Sequence, residues 1–298
     1  MKISIISFLL ILLVANFHTF GQQEYKYMNF LHSESDSVYI DIKSTSGEDY
    51  SGLIISEDST YLVIEPEWLV RIKMPKYKIE SYHLIDRKQI VNGEYMFENP
   101  HATRYFYGPN GYGLKKGEGY YQNTWVLFNQ VSVGFSDYFS VGTGMIPAFL
   151  FGGTPTPVWI TPKVSIPVQK DKVNLGAGVL AATVLGESGT SFGIAYGTFT
   201  YGSKDHNFSG GIGWAYSDAG LGDKPTLMFS GITRVGKKGY LLTENYFITT
   251  AWENIGIISV GGRTVQKKLA VDYGLFMPLN IGATIAFPWL SITIPFGN

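Results

Sequence analysis

From Tyr121 to the end, the chain repeats one unit: about ten to twelve residues of alternating apolar and small or polar character, then a turn. A segment with this period of two has one greasy face and one polar face, so it forms a strand with different surroundings on its two sides. The clearest case is 158–168. There Val158, Ile160, Val164, Ile166 and Val168 share one face, and Trp159, Thr161, Lys163 and Ser165 share the other. Runs at 139–145, 175–179 and 269–275 behave alike; those at 191–202, 207–217, 226–235, 240–250 and 255–265 fit less cleanly.

The connections alternate in kind. Those at 136–137, 169–172, 203–207, 236–239 and 266–268 are short and mostly lysine-rich; those at 149–157, 185–190, 217–225, 249–254 and 278–286 are generally longer and poorer in lysine. Short turns at one end and longer loops at the other are the pattern of strands that cross an outer membrane. In hydrocarbon, only a helix or a closed barrel satisfies every backbone donor and acceptor. A soluble β-sandwich also has short strands, but it has no need of alternating loop lengths. The expected fold is therefore all-β, with a transmembrane barrel over residues 101–298. Its last strand, 287–296, must end in the periplasm, and counting back gives eleven strands from Thr124. A chain arriving from the periplasm needs one more crossing. Residues 103–108 are the candidate, which makes the barrel twelve-stranded and antiparallel, with 113–122 as its first outer loop.

Composition agrees. The chain has 35 glycines, 15% aromatic and 16% charged residues, and a formal net charge of -1. No basic face is available for nucleic acid. Cysteine is absent, which excludes disulfides, thiolate zinc sites, cysteine nucleophiles and a lipid anchor on Cys. Residues 1–21 read as a signal peptide: Met1-Lys2, an apolar run at 3–17, then a small residue, Gly21. The run is shorter than the ~20 residues a membrane-spanning helix needs.

Residues 22–100 follow a different grammar: more charge, a short helix expected over 24–31, and strand-like runs at 38–43, 50–55, 61–65, 69–73 and 81–85. Turn residues separate them at 46–49, 57–59 and 74–76, and Gly52 sits where a sheet must bend. Gly47, the run from Gly52 through Ile55, Tyr61 through Ile64, and Arg71 through Lys76 leading to Ile79 together resemble the Sm-like or SH3-like small barrel. That resemblance implies a five-stranded domain, read here as a periplasmic module that docks a protein partner through residues 24–86. Sm-like proteins often bind RNA, but the segment has no basic surplus.

The segments 104–108, 114–123 and 201–205 resemble a family of uncharacterised outer-membrane barrel proteins. The resemblance implies outer-membrane lipid as the surroundings and says little about activity. The ending 290–296, with Phe296 followed by Gly297-Asn298, resembles the aromatic signal read by the barrel assembly machinery, apart from the two extra residues.

Alternation turns Lys163, Arg263, Asp272 and Glu244 inward, with Arg104 as a further candidate. Facing lipid at mid-depth would cost an Arg or Lys ~2–4 kcal/mol. The resulting network reads in two ways: a charged ring that filters a small solute, or a salt-bridge plug that holds a narrow barrel. Inward glycines at 142, 144, 176, 178, 211 and 213 are expected to leave room in the lumen. The rival class is a barrel-embedded enzyme acting on lipid or surface material. It has weak support, because Ser203, Asp205 and His206 are neighbours in one turn and need not converge into a relay. His32, His83 and His101 lack metal-ligand spacing, 111–119 lacks the spacing of a phosphate loop, and no cofactor is called for. Aromatics near strand ends (Trp125, Tyr138, Phe151, Tyr216, Trp252, Trp289) are expected to form the interfacial girdles.

Overall fold

The computed structural model describes residues 30, 38–66, 70–85, 90–91, 94–96, 99–187, 190–249, 254–266, 269–279 and 285–297. The signal peptide, Trp252 and all of the expected 24–31 helix except Phe30 lie outside them. The chain divides into two compact units, one ending at Ile90 and the other beginning at Val91.

The first unit is a five-stranded antiparallel sheet of strands Tyr39–Ser44, Asp49–Glu57, Tyr61–Glu65, Ile72–Pro75 and Ile79–Ile85. Each of the first three pairs with the next, and the fifth pairs with the first. Alternation puts Ile40, Ile42, Ile54, Leu62, Ile64, Met74 and Ile79 into one core, with Phe30 against it. Two local expectations shift. The fourth strand is Ile72–Pro75 rather than 69–73, and a 3-10 turn, Lys76–Lys78, follows it. The irregularity in the second strand falls between Ile54 and Ser56, while Gly52 answers a different need. A Cβ there would sit 2.7 Å from the Glu65 carbonyl oxygen.

The second unit is a closed antiparallel barrel of twelve strands: Gly119–Thr124, Phe128–Gly134, Phe139–Met145, Thr156–Gln169, Val173–Leu185, Phe192–Gly202, His206–Ser217, Thr226–Arg234, Gly239–Thr249, Asn254–Gln266, Leu269–Leu279 and Phe287–Phe296. Each pairs with its chain neighbour, and the last pairs with the first, so no edge remains. A two-residue strand, Gly220–Leu221, extends one loop. The pleat sorts side chains as the alternation requires. On Thr156–Gln169, Ile160, Val164, Ile166 and Val168 are exposed, whereas Trp159, Lys163 and Ser165 are buried.

The number of strands matches the expectation, but the first strand does not. Residues 103–108 form no wall strand; their only bridge joins Arg104 to Pro109 of the same turn. Consecutive Tyr105 and Phe106 are both fully buried, which a strand with one wet face would not allow. The first strand is instead Gly119–Thr124, taken above as part of an outer loop. Its turn onward is 125–127, where Trp125 and Val126 adopt φ of 52° and 65°. Hairpin turns of this kind normally use Asn-Gly or Asp-Gly. Here the Trp125 indole donates to the Pro288 carbonyl at 2.7 Å and its ring packs against Trp289, centroids 5.1 Å apart.

Candidate functional site: a barrel interior closed by its own chain

Residues 99–114 run inside the barrel. Asn99, His101, Ala102, Arg104, Tyr105, Phe106, Asn110, Tyr112 and Leu114 are all buried. The segment turns back on itself: Tyr105 N–H donates to the Gly108 carbonyl at 3.0 Å and Asn110 N–H to the Thr103 carbonyl at 3.3 Å. Pro109-Asn110-Gly111 supplies the turn chemistry. Two glycines let the turn touch the wall. A Cβ on Gly108 would lie 2.4 Å from the Tyr246 hydroxyl, and one on Gly111 would lie 2.5 Å from the Asn174 carbonyl oxygen.

A backbone segment away from water must satisfy its polar groups, and the inward side chains do so here. Arg263 and Asp272 sit opposite each other on adjacent strands. Arg263 Nε donates to Asp272 Oδ1 at 2.5 Å. Its two terminal nitrogens donate to the His101 carbonyl at 2.8 Å and the Tyr105 carbonyl at 2.5 Å. Arg104, on the inserted segment, donates to Asp272 Oδ2 at 2.9 Å, to the Phe106 carbonyl at 2.6 Å and to the Thr293 hydroxyl at 2.7 Å. One carboxylate thus joins two guanidiniums, one from the wall and one from the insert.

Glu244 caps the tip of the turn. Its Oε2 accepts from Tyr107 N–H and Gly108 N–H, both at 2.9 Å, and its Oε1 accepts from the Tyr246 hydroxyl at 2.7 Å. On the other side, Lys163 Nζ donates to the Thr103 carbonyl at 3.1 Å and the Tyr112 carbonyl at 2.5 Å. All five residues singled out from the sequence therefore touch residues 99–114 or belong to them. Sequence reasoning missed Tyr105, whose hydroxyl reaches Asn207 and Ser209, both at 2.7 Å. It also missed Gln122, which falls within the expected first outer loop, and Thr200 and Thr293, whose small polar type on inward positions was the available signal.

The expected space over the inward glycines is largely used. The Trp159 ring covers Gly144, the Tyr196 hydroxyl lies over Gly178, and the Asn110 carbonyl over Gly176. One space that remains is a chamber of about 170 Å³ between the insert and the wall, bordered by Ser140, Thr161, Lys163, Tyr196, Thr198 and Met228 among others; another, of about 400 Å³, is bordered by Tyr107, Trp159, Glu244, Tyr246 and Trp289 among others. The enzyme reading gains nothing from the turn at 203–206: the His206 ring bonds the Thr233 hydroxyl at 2.9 Å, and Ser203 Oγ accepts from the His206 backbone at 3.1 Å. Of the expected girdle, Trp125, Tyr138 and Phe151 are exposed, whereas Tyr216 and Trp289 are half-buried. Phe296 closes the barrel seam with its ring over Gly119.

No family model and no curated protein matches the chain. Among solved structures, a KdgM porin in complex with disordered oligogalacturonate is similar at 8% identity, over 60% of this chain and 98% of that one, with a TM-score of 0.45. A structure from a study of in-meso crystallization of membrane proteins is similar at 11% identity, over 61% of this chain and 83% of that one, with a TM-score of 0.38.

Proposed function

We propose that the chain is an outer-membrane barrel, with its N-terminal unit in the periplasm, that admits a small solute along a lumen closed at rest by residues 99–114. The apolar exterior supports the location. Ile166, Phe199, Phe208, Phe229, Leu241, Leu275 and Leu290 are exposed around the wall, and soluble proteins seldom leave apolar patches beyond a few hundred Å². The five-stranded order of the first unit, with a 3-10 turn before its last strand, favours the SH3-like reading and a role as a docking module for a periplasmic protein. The lipid surroundings and delivery by the barrel assembly machinery follow from the same location.

One observation carries the idea of passage. The insert leaves a chamber of about 170 Å³ whose border includes Ser132, Ser140, Thr161, Lys163 and Thr198, so the closed lumen keeps a polar compartment. Single-channel recording of the refolded full chain tests it. Arg104→Ala releases the insert from Asp272 while leaving the wall pair with Arg263 in place. The variant is expected to open more often than the parent chain. Tyr105 and Phe106 also pack among Ile232, Tyr240, Leu242 and Val265. If neither protein ever conducts, that apolar anchorage makes the closure permanent and the passage reading fails.

A further inference from the structure

Among the described residues, Lys163 is the interior cation that meets no carboxylate. Among the described residues, three buried cations inside the barrel, Arg104, Lys163 and Arg263, face two buried carboxylates, Glu244 and Asp272. Both arginines are paired with Asp272. Glu244 is occupied by two backbone N–H groups and the Tyr246 hydroxyl. Lys163 meets only the carbonyls of Thr103 and Tyr112 among the described residues. An ammonium has three donors, so one donor is left without a partner, and no described carboxylate pairs with it. A buried charge without a counter-charge is costly, and a bound anion removes that cost.

The surroundings of Lys163 suit such an anion. Ser140 is its direct cross-strand partner, and Thr161 lies two residues away on the same face. Neither hydroxyl is engaged by another described residue, so both are free to donate. All three border the chamber of about 170 Å³, and Leu180, Ile194 and Met228 line it as well. A cavity of roughly 150 Å³ accommodates benzene, so the volume fits one ring or a short chain.

We propose that this chamber binds a single small organic monoanion, with its carboxylate on the Lys163 ammonium and the Ser140 and Thr161 hydroxyls, and its apolar body against Leu180, Ile194 and Met228. The proposal rests on the lumen being a solute path and names the class of solute. Charge-assisted hydrogen bonds are the strong ones. A neutral analogue of the same shape leaves the ammonium unpaired, and a site built for a polar group rejects a ligand lacking it far more sharply than one lacking a methylene.

Benzoate is the probe, titrated calorimetrically into the refolded full chain in detergent, with benzyl alcohol as the neutral analogue. Saturable one-to-one binding of benzoate is expected, with benzyl alcohol at least tenfold weaker. Lys163→Met should weaken benzoate at least tenfold. Thr161→Val, which leaves the contacts of Lys163 to the insert intact, should weaken it severalfold, so the site stays testable if the lysine variant fails to fold. Equal binding of acid and alcohol, no saturation at millimolar benzoate, or unchanged affinity in Thr161→Val would overturn the proposal. Inorganic phosphate binding as tightly as benzoate would also overturn it, because the apolar half of the site would then contribute nothing. Binding is read without any current, so a chain that binds benzoate yet never conducts keeps the site and loses the passage.

Discussion

The two units of this chain are built with opposite polarity. In the N-terminal unit apolar side chains point in: Ile40, Ile42, Leu62 and Ile64 have essentially no exposure, and the Lys43–Glu80 pair lies outside, each side chain about half exposed. In the barrel the same period of two puts Ile166, Leu275 and Leu290 outside and Arg263, Glu244 and Asp272 within. Strand geometry is common to both; the difference lies in what each face meets. A sheet folded over its own apolar face buries grease by excluding water. A barrel in lipid gains nothing from that, and must instead satisfy the backbone polar groups it encloses. The buried ion pairs follow suit. Lys76–Glu57, at 2.6 Å, sits beside an apolar core, where Glu57 also accepts from the Phe30 N–H, whereas Arg263–Asp272–Arg104 ties the wall to the inserted backbone.

The largest expected effect lies in that tie. Asp272→Ala leaves two buried guanidiniums without their carboxylate and should cost about 3–5 kcal/mol, read as a lower urea midpoint for the barrel transition in detergent-refolded protein. A loss no larger than that of an exposed pair, about 1 kcal/mol or less, would mean that water enters the interior and the contrast between the units is false.

The lipid-facing surface gives the next test. Ile166→Lys, on the outward face and 50% exposed, should lower barrel stability in bilayers by up to ~2–4 kcal/mol, depending on its depth. The same change at Val70, 86% exposed in the N-terminal unit, should stay within about 0.5 kcal/mol. Equal effects at both positions would remove the reason for reading one exposed surface as lipid-facing and the other as water-facing.

The smallest effect is a pH dependence confined to the first unit. Asp58 accepts N–H donors from Thr60 at 2.7 Å and Tyr61 at 2.6 Å, and these bonds hold its carboxyl below the usual carboxylate range. A folded-state pKa below the unfolded one stabilises the unit above the unfolded value and loses that contribution as pH falls through the folded one. Acid should therefore lower the unfolding temperature of this unit less in Asp58→Asn than in the parent, with the two curves converging at the lowest pH. Parallel curves would refute the cap.

Much of the wall was legible because alternation is local. Lys163, Glu244, Arg263 and Asp272 could each be assigned to the interior from their own strand, since neighbours two residues away repeat the same choice. The first hairpin was not legible, because 124–127 contains no Asn, Gly or Pro; Trp125 and Val126 occupy positions that turn residues normally fill. The segment 103–108 misled for the opposite reason. Its aromatics, Arg104 and Gly108 look like a strand by composition, but both sides of the segment are enclosed, and no periodicity distinguishes an inserted backbone from a wall strand.

The sequence alone determined the inventory: a period of two repeated to the end, alternating loop lengths, and a few charges on faces where lipid would not tolerate them. Only the tertiary structure decided that residues 99–114 occupy the lumen, that one aspartate serves arginines 168 and nine positions away in the chain, and that Lys163 meets only backbone carbonyls among the described residues. The reason is distance along the chain. Pleat and turn are set by neighbours, whereas the partners of an enclosed backbone group come from strands whose positions closure of the barrel alone fixes.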